Sequence, residues 1–438
     1  MAPVSDVAAP EIAGLRTHPL TAVVQGARWA AAASVGLVGS IFTGDGWGDL
    51  NPFLSLLAAL AGGLVLGLLL GFVSWRFTRY VIDGAELRIS SGVVTKASRR
   101  IPYERIQSVD IAQPLVARVL ALAELRIEMA GGRDSRTSLR FLRLADAATL
   151  RQVLLSRAHG EEVEAATEEH RTAITVVPPE RVVLGTVLSL DFLFAAVGSV
   201  ALVVLMIWFG QVVVLLGGVL PLASWLGQIV AHRVLQQWDF TLSRGERGLR
   251  IERGLLSRTS QTIPFARVQG VAVKEPFVWR RLGWQRLEVD VAGYAEHDSE
   301  QQEDSSSTLL PIADRVLAAA VIDELIPGTT TADLVRTRAP RRSWVFAPIG
   351  WRNRWIAADD TAFVAHEGWV QRRTSIVPHS KTQSVELRQG PLQRRLHVAT
   401  VEVHTPKGPV DADGRHLDEH DARAALVAQL ERARASRA

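Results

Sequence analysis

Three sets of residues recur along the chain at one spacing. They are Gly92, Pro102, Gln107 and Arg118; Gly254, Pro264, Gln269 and Arg280; and Gly368, Pro378, Gln383 and Arg394. In every set the proline lies 10 residues beyond the glycine, the glutamine 15 and the arginine 26. A further base stands two residues before each glutamine: Arg105, Arg267 and Lys381. Read as extended chain, Tyr103, Arg105 and Gln107 alternate and share one strand face. A phenol, a guanidinium and an amide on one face could bind a peptide, a partner domain or a phosphate headgroup. The structural alternative has the base paired with a carboxylate and the glutamine capping a sheet edge. One fold present three times would impose the same constraint three times, and this reading is preferred.

A second group of bases is Lys96, Arg99 and Arg100, with Arg76 and Arg79 close by in sequence. Near an anionic leaflet each well-placed base gains roughly 1 kcal/mol, so these five are candidates for a lipid headgroup; a solvated hairpin beside a membrane span gives the same pattern. Asp191 stands within an apolar stretch, where a charge is expensive and a functional candidate by default, with Ser224 as a polar partner. A proton relay and a subunit contact are both open for it, the latter preferred because Asp191 stands alone.

Other chemistry is missing. There is no cysteine, which excludes disulfides, thiolate catalysis and cysteine-based metal sites. No glycine-rich phosphate loop follows a strand. His416 and His420 lie four apart near Asp418 and Glu419, but a solvated helix start explains them better than a metal site. No catalytic constellation, metal, cofactor or nucleic-acid partner is expected.

The elements that must position these residues include a membrane anchor. Apolar stretches at about 24–43, 53–75, 182–209 and 212–231 each approach or exceed the roughly 20 residues needed to span a bilayer. Gly62, Gly63, Gly67 and Gly71 would let the second pack closely on a neighbour. The loop Thr43–Asn51 carries two aspartates and no base, while Arg16, Arg28, Arg76, Arg79, Arg181 and Arg233 flank the opposite ends. The positive-inside rule then places both termini and the large segments in the cytoplasm.

Three β-rich segments remain. Alternation marks strands at Leu87–Ile89, Ile106–Ile111 and Leu125–Glu128 and at the matching later positions. The glycines fall at strand turns that need positive φ, and the prolines should start strands or lie on sheet edges. Each unit closes with an amphipathic helix, beginning near Asp146, Asp314 and Asp421. The expected organisation is an N-terminal segment 1–22, a hairpin 23–75, a domain 76–158, an acidic linker 159–180, a hairpin 181–233, a domain 234–328, a linker 329–345 and a domain 346–438.

The motifs Ser91-Gly92-Val93, Ile101-Pro102-Tyr103-Glu104-Arg105-Ile106-Gln107-Ser108-Val109-Asp110 and Gln113-Pro114-Leu115 with Arg118 resemble those of bacterial pleckstrin-homology-like membrane proteins, the YdbT-like group. The domain was formerly called DUF304. His18-Pro19-Leu20 resembles that family's opening. The resemblance implies a mixed α/β membrane protein: four transmembrane helices carrying three PH-like domains, each a bent antiparallel sheet or partly open barrel capped by a helix. It also implies a bacterial inner membrane and a smaller PH-like companion, and gives no reaction. The third repeat departs from the pattern, with His379 replacing the aromatic residue and Pro391 moved by one place.

Two functions are weighed. The preferred one is a membrane-anchored interaction scaffold for such a companion or for further copies of itself. The other is anionic-lipid binding or sensing, or export of an envelope lipid or toxin with resistance to envelope stress.

Overall fold

The computed structural model describes residues 12–15, 52–77, 79–82, 86–91, 97–129, 136–159, 172–210, 225–228, 230–231, 233–245, 248–292, 307–329, 334–406 and 408–437. The chain forms two compact units: Met1–Glu168 with Leu256–Gln261, and Glu169–Leu255 with Thr262–Ala438.

In the first unit, β1 (Ile12–Leu15) is followed by α1 (Pro52–Arg76), β2 (Arg79–Ile82), β3 (Glu86–Ser91) and β4 (Ala97–Pro102). These four strands form one antiparallel sheet in chain order. A 3-10 turn, Tyr103–Arg105, leads into β5 (Ile106–Gln113), the short helix α2 (Leu115–Val119), β6 (Leu122–Met129), β7 (Arg136–Arg143) and the closing helix α3 (Leu144–His159). Strands β5, β6 and β7 pair as a meander. Alternate residues of both sheets and one stripe of α3 meet in a single core of Leu87, Ile101, Val109, Leu125, Ile127, Leu139, Leu150 and Leu154. Period-2 strands and a period-3.6 helix each contribute their apolar face to it.

The second unit opens with β8 (Thr172–Val177), which the sequence reading assigns to the acidic linker, then α4 (Pro179–Val187) and α5 (Leu190–Trp208). Strands β9 (Phe240–Arg244) and β10 (Gly248–Arg253) extend β8 antiparallel. The strand β11 (Arg258–Pro264), whose residues through Gln261 belong to the first unit, follows, then β12 (Val268–Pro276), α6 (Phe277–Leu282), β13 (Trp284–Val291), β14 (Thr308–Asp314) and α7 (Arg315–Leu325). The third repeat supplies β15 (Thr337–Arg338), β16 (Trp355–Ala358), β17 (Ala362–Glu367), β18 (Gln371–Pro378), β19 (Ser384–Arg388), α8 (Pro391–Arg395), β20 (Val398–His404), β21 (Ala412–Asp418) and α9 (Glu419–Ala435). Strands β14-β13-β12-β18-β17-β16-β15 make one sheet and β19-β20-β21 another.

Two of the repeat glycines have the positive φ expected of them, Gly254 at 107° and Gly368 at 90°; Gly92 lies outside the described residues. The prolines do not start strands. Pro102, Pro264 and Pro378 each end one and precede a 3-10 turn, where the fixed φ of proline suits the turn and no further ladder donor is needed. Asp314 caps α7, accepting from Leu317 N at 2.8 Å. The last helix is capped by Asp418 rather than Asp421, and α3 begins at Leu144, before Asp146.

Of the four expected spans, the described residues contain one helix, α5, long and apolar enough to cross a membrane; α1 contains the shorter apolar run Leu60–Val73. The large side chains of α5 are exposed, among them Phe194, Val197, Val200 and Trp208. Those of α1 are exposed too, while Gly63, Gly67 and Gly71 are buried. The stretch 24–43 and most of 212–231 lie outside the described residues.

Candidate functional site

The repeated residues separate in the fold. Tyr103 and Arg105 lie in the 3-10 turn, not on a strand, so the expected alternation with Gln107 fails: Tyr103 is buried and Arg105 exposed. The Tyr103 hydroxyl donates to Glu86 O at 3.2 Å and accepts from Arg157 at 3.1 Å, which ties the turn to the closing helix. Gln269 is buried and donates to Arg267 O at 3.0 Å, while the Arg267 guanidinium donates to Ala292 O. His379, in the aromatic position of the third repeat, is buried; its Nε2 lies 3.0 Å from Asp359 O. The contacts of Arg267, Gln269 and His379 are made to main-chain oxygens of the same fold, not to the carboxylate that the structural reading pairs with the base. Gln383 is exposed on its side chain, and its N–H donates to His404 O at 2.8 Å.

Two of the repeated bases do something the sequence did not show: they join one repeat to the next. Arg280, beside the C-terminal end of β12, donates to Trp369 O in the glycine turn of the third repeat at 2.9 Å. Lys381 donates back to Ala266 O at 2.7 Å. Phe277 and Trp369 meet with ring centroids 5.6 Å apart, and Arg280 and Arg281 lie over the Phe277 ring at 5.2 and 5.0 Å. Each cation–π contact adds about 0.5–1 kcal/mol when exposed.

These side chains flank a strand pairing. Strand β12 of the second repeat runs antiparallel to β18 of the third from Val271↔Ile376 to Pro276↔Gln371. In the first unit, Arg258–Ser260 lie antiparallel to β5 from Gln113↔Arg258 to Ile111↔Ser260. The registers correspond: Gln113 and Glu275 follow their repeat glycines by 21 residues, and their partners Arg258 and Arg372 follow theirs by four. Continuing the series, the strand that would receive a further repeat is β19. Among the described residues it pairs with β20 alone. Arg394, the counterpart of Arg280, is exposed on α8 next to it. At the other end, β4 pairs with β3 alone among the described residues.

Of the five proposed headgroup bases, two lie on that β4 edge. Arg99 and Arg100 are on the strand, and Arg100 is exposed with its Nε 4.0 Å from Glu86. Arg76 is exposed at the end of α1, Arg79 starts β2, and Lys96 lies outside the described residues. Arg118 is exposed on α2.

Asp191 does not lie well inside a span but at the very start of the apolar helix Leu190–Trp208. The expected span 182–209 is broken after Val187, and α5 begins again at Leu190 with Ser189 as its N-cap. Asp191 therefore occupies the first turn, where the helix dipole favours a carboxylate. Its Oδ2 pairs with Arg233 at 2.5 Å, and Arg233 also donates to Ser189 Oγ at 3.2 Å. Ser224, its expected partner, lies outside the described residues.

The histidines do not converge. His416, on β21, stacks on Phe346 at 4.2 Å and lies 2.8 Å from Gln393, whereas His420 is exposed on α9. Burial and the nearby Arg354 and Arg415 lower His416 to a pKa of about 4, so it is neutral at pH 7. A cluster the sequence did not reveal is Glu386, Glu402 and His404, with ligand atoms within 4.8 Å of one another. Arg388 already holds Glu402 at 3.1 Å, so a cation there would compete with a guanidinium.

Along the chain, strands followed by a closing helix recur as a repeated unit. The family model described as bacterial PH domain (bPH_2) matches residues 30–158, 183–329 and 316–434, and the chain belongs to that family. It is also similar to the UPF0699 transmembrane protein YdbT of Bacillus subtilis (strain 168), with 22% identity over 319 residues. The match covers 64% of this chain and 64% of that relative, so the chain spans somewhat under two thirds of the relative's length. A membrane location fits that relative's name and the exposed apolar helix α5.

Proposed function

We propose that this protein is a non-catalytic scaffold held in a bacterial cytoplasmic membrane by four spans, with its termini and PH-like domains in the cytoplasm. It receives the PH-like domain of a smaller membrane companion on the open edge of β19. The supporting observation is the repeat-to-repeat pairing of β12 with β18, latched by Arg280 on Trp369 O. Edge strands recruit further strands readily, and β19 with Arg394 repeats the donor side of that pairing with its partner position open among the described residues.

The test is native mass spectrometry of the full chain released gently from its own membranes, as wild type and as Glu386→Pro with Arg394→Ala. Proline at 386 removes one main-chain donor of β19, and thermal unfolding of the variant checks that the β19–β20 ladder is kept. A stoichiometric PH-like protein, or a second copy, present on the wild type and lost from the variant supports the scaffold. A wild-type monomer carrying lipid alone would overturn it and favour lipid sensing or export.

A further inference from the structure

The helix α5 has 19 residues, which makes it about 28 Å long, close to the roughly 30 Å of a hydrocarbon core. In a bilayer that it spans, its two ends therefore lie at the two interfaces. Trp208 and Phe209 are exposed at its far end, and aromatic rings of this kind suit the headgroup level. The other interface passes the start of the helix, at Leu190 and Asp191.

Parts of the second and third repeats lie beside that start. One cavity is lined by Ser189, Leu190 and Asp191 together with Pro276, Trp279 and Gln371. Gln371 pairs with Pro276 where β18 meets β12, and Trp279 belongs to α6. On the preceding helix α4, a Cβ at Gly185 would stand 3.0 Å from the Trp279 ring. The helix α6 and the glycine turn between β17 and β18 are thus held next to the residues at which α5 enters the bilayer.

The exposed side chains of these two elements are of two kinds. Trp369 and Val370, in the turn, are 45% and 40% exposed, and Leu282, which ends α6, is 48% exposed. Arg280 and Arg281 lie over Phe277, Phe277 meets Trp369, and Arg372 follows Val370 by two residues. None of these three arginines has a carboxylate within 4.0 Å among the described residues. Glu275, the register partner of Arg372, is engaged by Gln285 and approached by Arg315 at 3.9 Å. Burial first, then Arg372, Arg336 and Arg280, lower the pKa of His366 to about 4, so bases of this region share one positive field around a neutral imidazole.

Water suits the bases and not the indole or the aliphatic side chains; hydrocarbon suits the reverse. The headgroup layer of an anionic bilayer suits both. Indole rings favour that level, bases gain from the negative surface potential, and an arginine stem can lie on apolar surface with its guanidinium in water.

Granted the membrane anchor proposed above, we infer that α6 and the β17–β18 turn form a docking surface for the anionic headgroup layer of the same membrane. Trp369, Val370 and Leu282 enter the interface, and Arg280, Arg281 and Arg372 meet lipid phosphates. Docking fixes the second and third repeats against the bilayer instead of leaving them to swing on the anchor.

The chain has no cysteine, so Val370→Cys and, separately, Val200→Cys each give the full-length protein one labelling site. Val200 is exposed midway along α5. Each variant carries a fluorophore and is reconstituted into phosphatidylcholine vesicles with or without phosphatidylglycerol. Nitroxide-bearing lipid and aqueous iodide then quench the label from the two sides, and thermal unfolding checks that each variant is folded. With phosphatidylglycerol, the label at 370 should be reached by the lipid quencher and shielded from iodide. Adding Arg281→Gln should cut the docked-to-free ratio about fivefold, equivalent to the roughly 1 kcal/mol that one base gains at an anionic surface. Equal lipid quenching with and without phosphatidylglycerol would overturn the headgroup assignment. If the lipid quencher reaches position 200 while position 370 stays open to iodide in both vesicles, the anchor stands and the docking surface falls. If position 370 is shielded from iodide but not reached by the lipid quencher, protein covers it and the lipid assignment falls. If neither label meets lipid, the anchor itself fails and the docking surface with it.

Discussion

Arg280 donates a hydrogen bond to the main-chain oxygen of Trp369, 89 residues away, and so joins the short helix of one repeat to the glycine turn of the next. The base 26 residues beyond each glycine is therefore part of a joint in the second repeat. A charged donor on a main-chain acceptor is worth about 1.5–3 kcal/mol when shielded and less in the open. Arg280→Ala should lower stability by about 1 kcal/mol, read as a drop in the melting temperature of the detergent-solubilised chain. Arg394→Ala, at the matching position of the last repeat, should leave that temperature unchanged. Equal losses in the two variants would show that the arginine serves its own repeat and not the joint.

The turn that receives Arg280 depends on Gly368. Its φ is 90°, and a Cβ there would stand 2.0 Å from Gln371 O. Gly368→Ala combines a left-handed penalty with a main-chain clash and should cost more than about 2 kcal/mol. Gly390 has φ of −74°, and its added Cβ would first meet a flexible side chain at 3.7 Å. Gly390→Ala should stay within about 0.5 kcal/mol of wild type. Urea unfolding of the two variants side by side decides the point.

Spacing alone made the threefold repeat visible, because each glycine, proline and closing helix answers to local geometry. The joint between repeats was not visible. Gly92 to Arg118 is local information, whereas the pairing of Glu275 with Arg372 joins residues that no periodicity connects. The alternation of Tyr103, Arg105 and Gln107 misled because a 3-10 turn of three residues looks extended when only residue types are read. Asp191 misled in another way: hydropathy averages over a window and passes through the break at Leu188-Ser189. The signal was there in Ser189 followed by Asp191, a polar N-cap and an acid in the first turn.

That cap can be tested. Ser189 Oγ accepts from Phe192 N at 3.4 Å and from Arg233, and donates to Thr186 O at 2.7 Å. Ser189→Ala should destabilise by about 1 kcal/mol. Asp191→Asn keeps a first-turn acceptor and loses the charge, which at an exposed helix start is worth about 0.3–1 kcal/mol. Any phenotype found for the protein should survive Asp191→Asn if the carboxylate is an anchor for Arg233. Abolition of that phenotype with folding intact would instead make Asp191 a proton carrier.

Asp290 gives the clearest pH dependence. It is buried on β13 opposite Gly270, and a Cβ on Gly408 would stand 2.0 Å from its Oδ1. Burial first, and Asp411 second, raise its pKa from 3.8 to about 7. The folded protein therefore holds this proton more tightly than the unfolded chain does. Between about pH 4 and pH 7 the folded state binds more protons, so stability falls as pH rises through that window and levels off above it. Asp290→Asn keeps the shape and has no charge to bury. Its advantage over wild type should be on the order of 1–3 kcal/mol at pH 8 and should shrink as pH falls towards 4. Melting temperatures of both proteins from pH 4 to pH 8 measure this directly. Parallel curves across the range would mean that Asp290 is ionised in the fold at ordinary pH and that Asp411 and burial do not hold its proton.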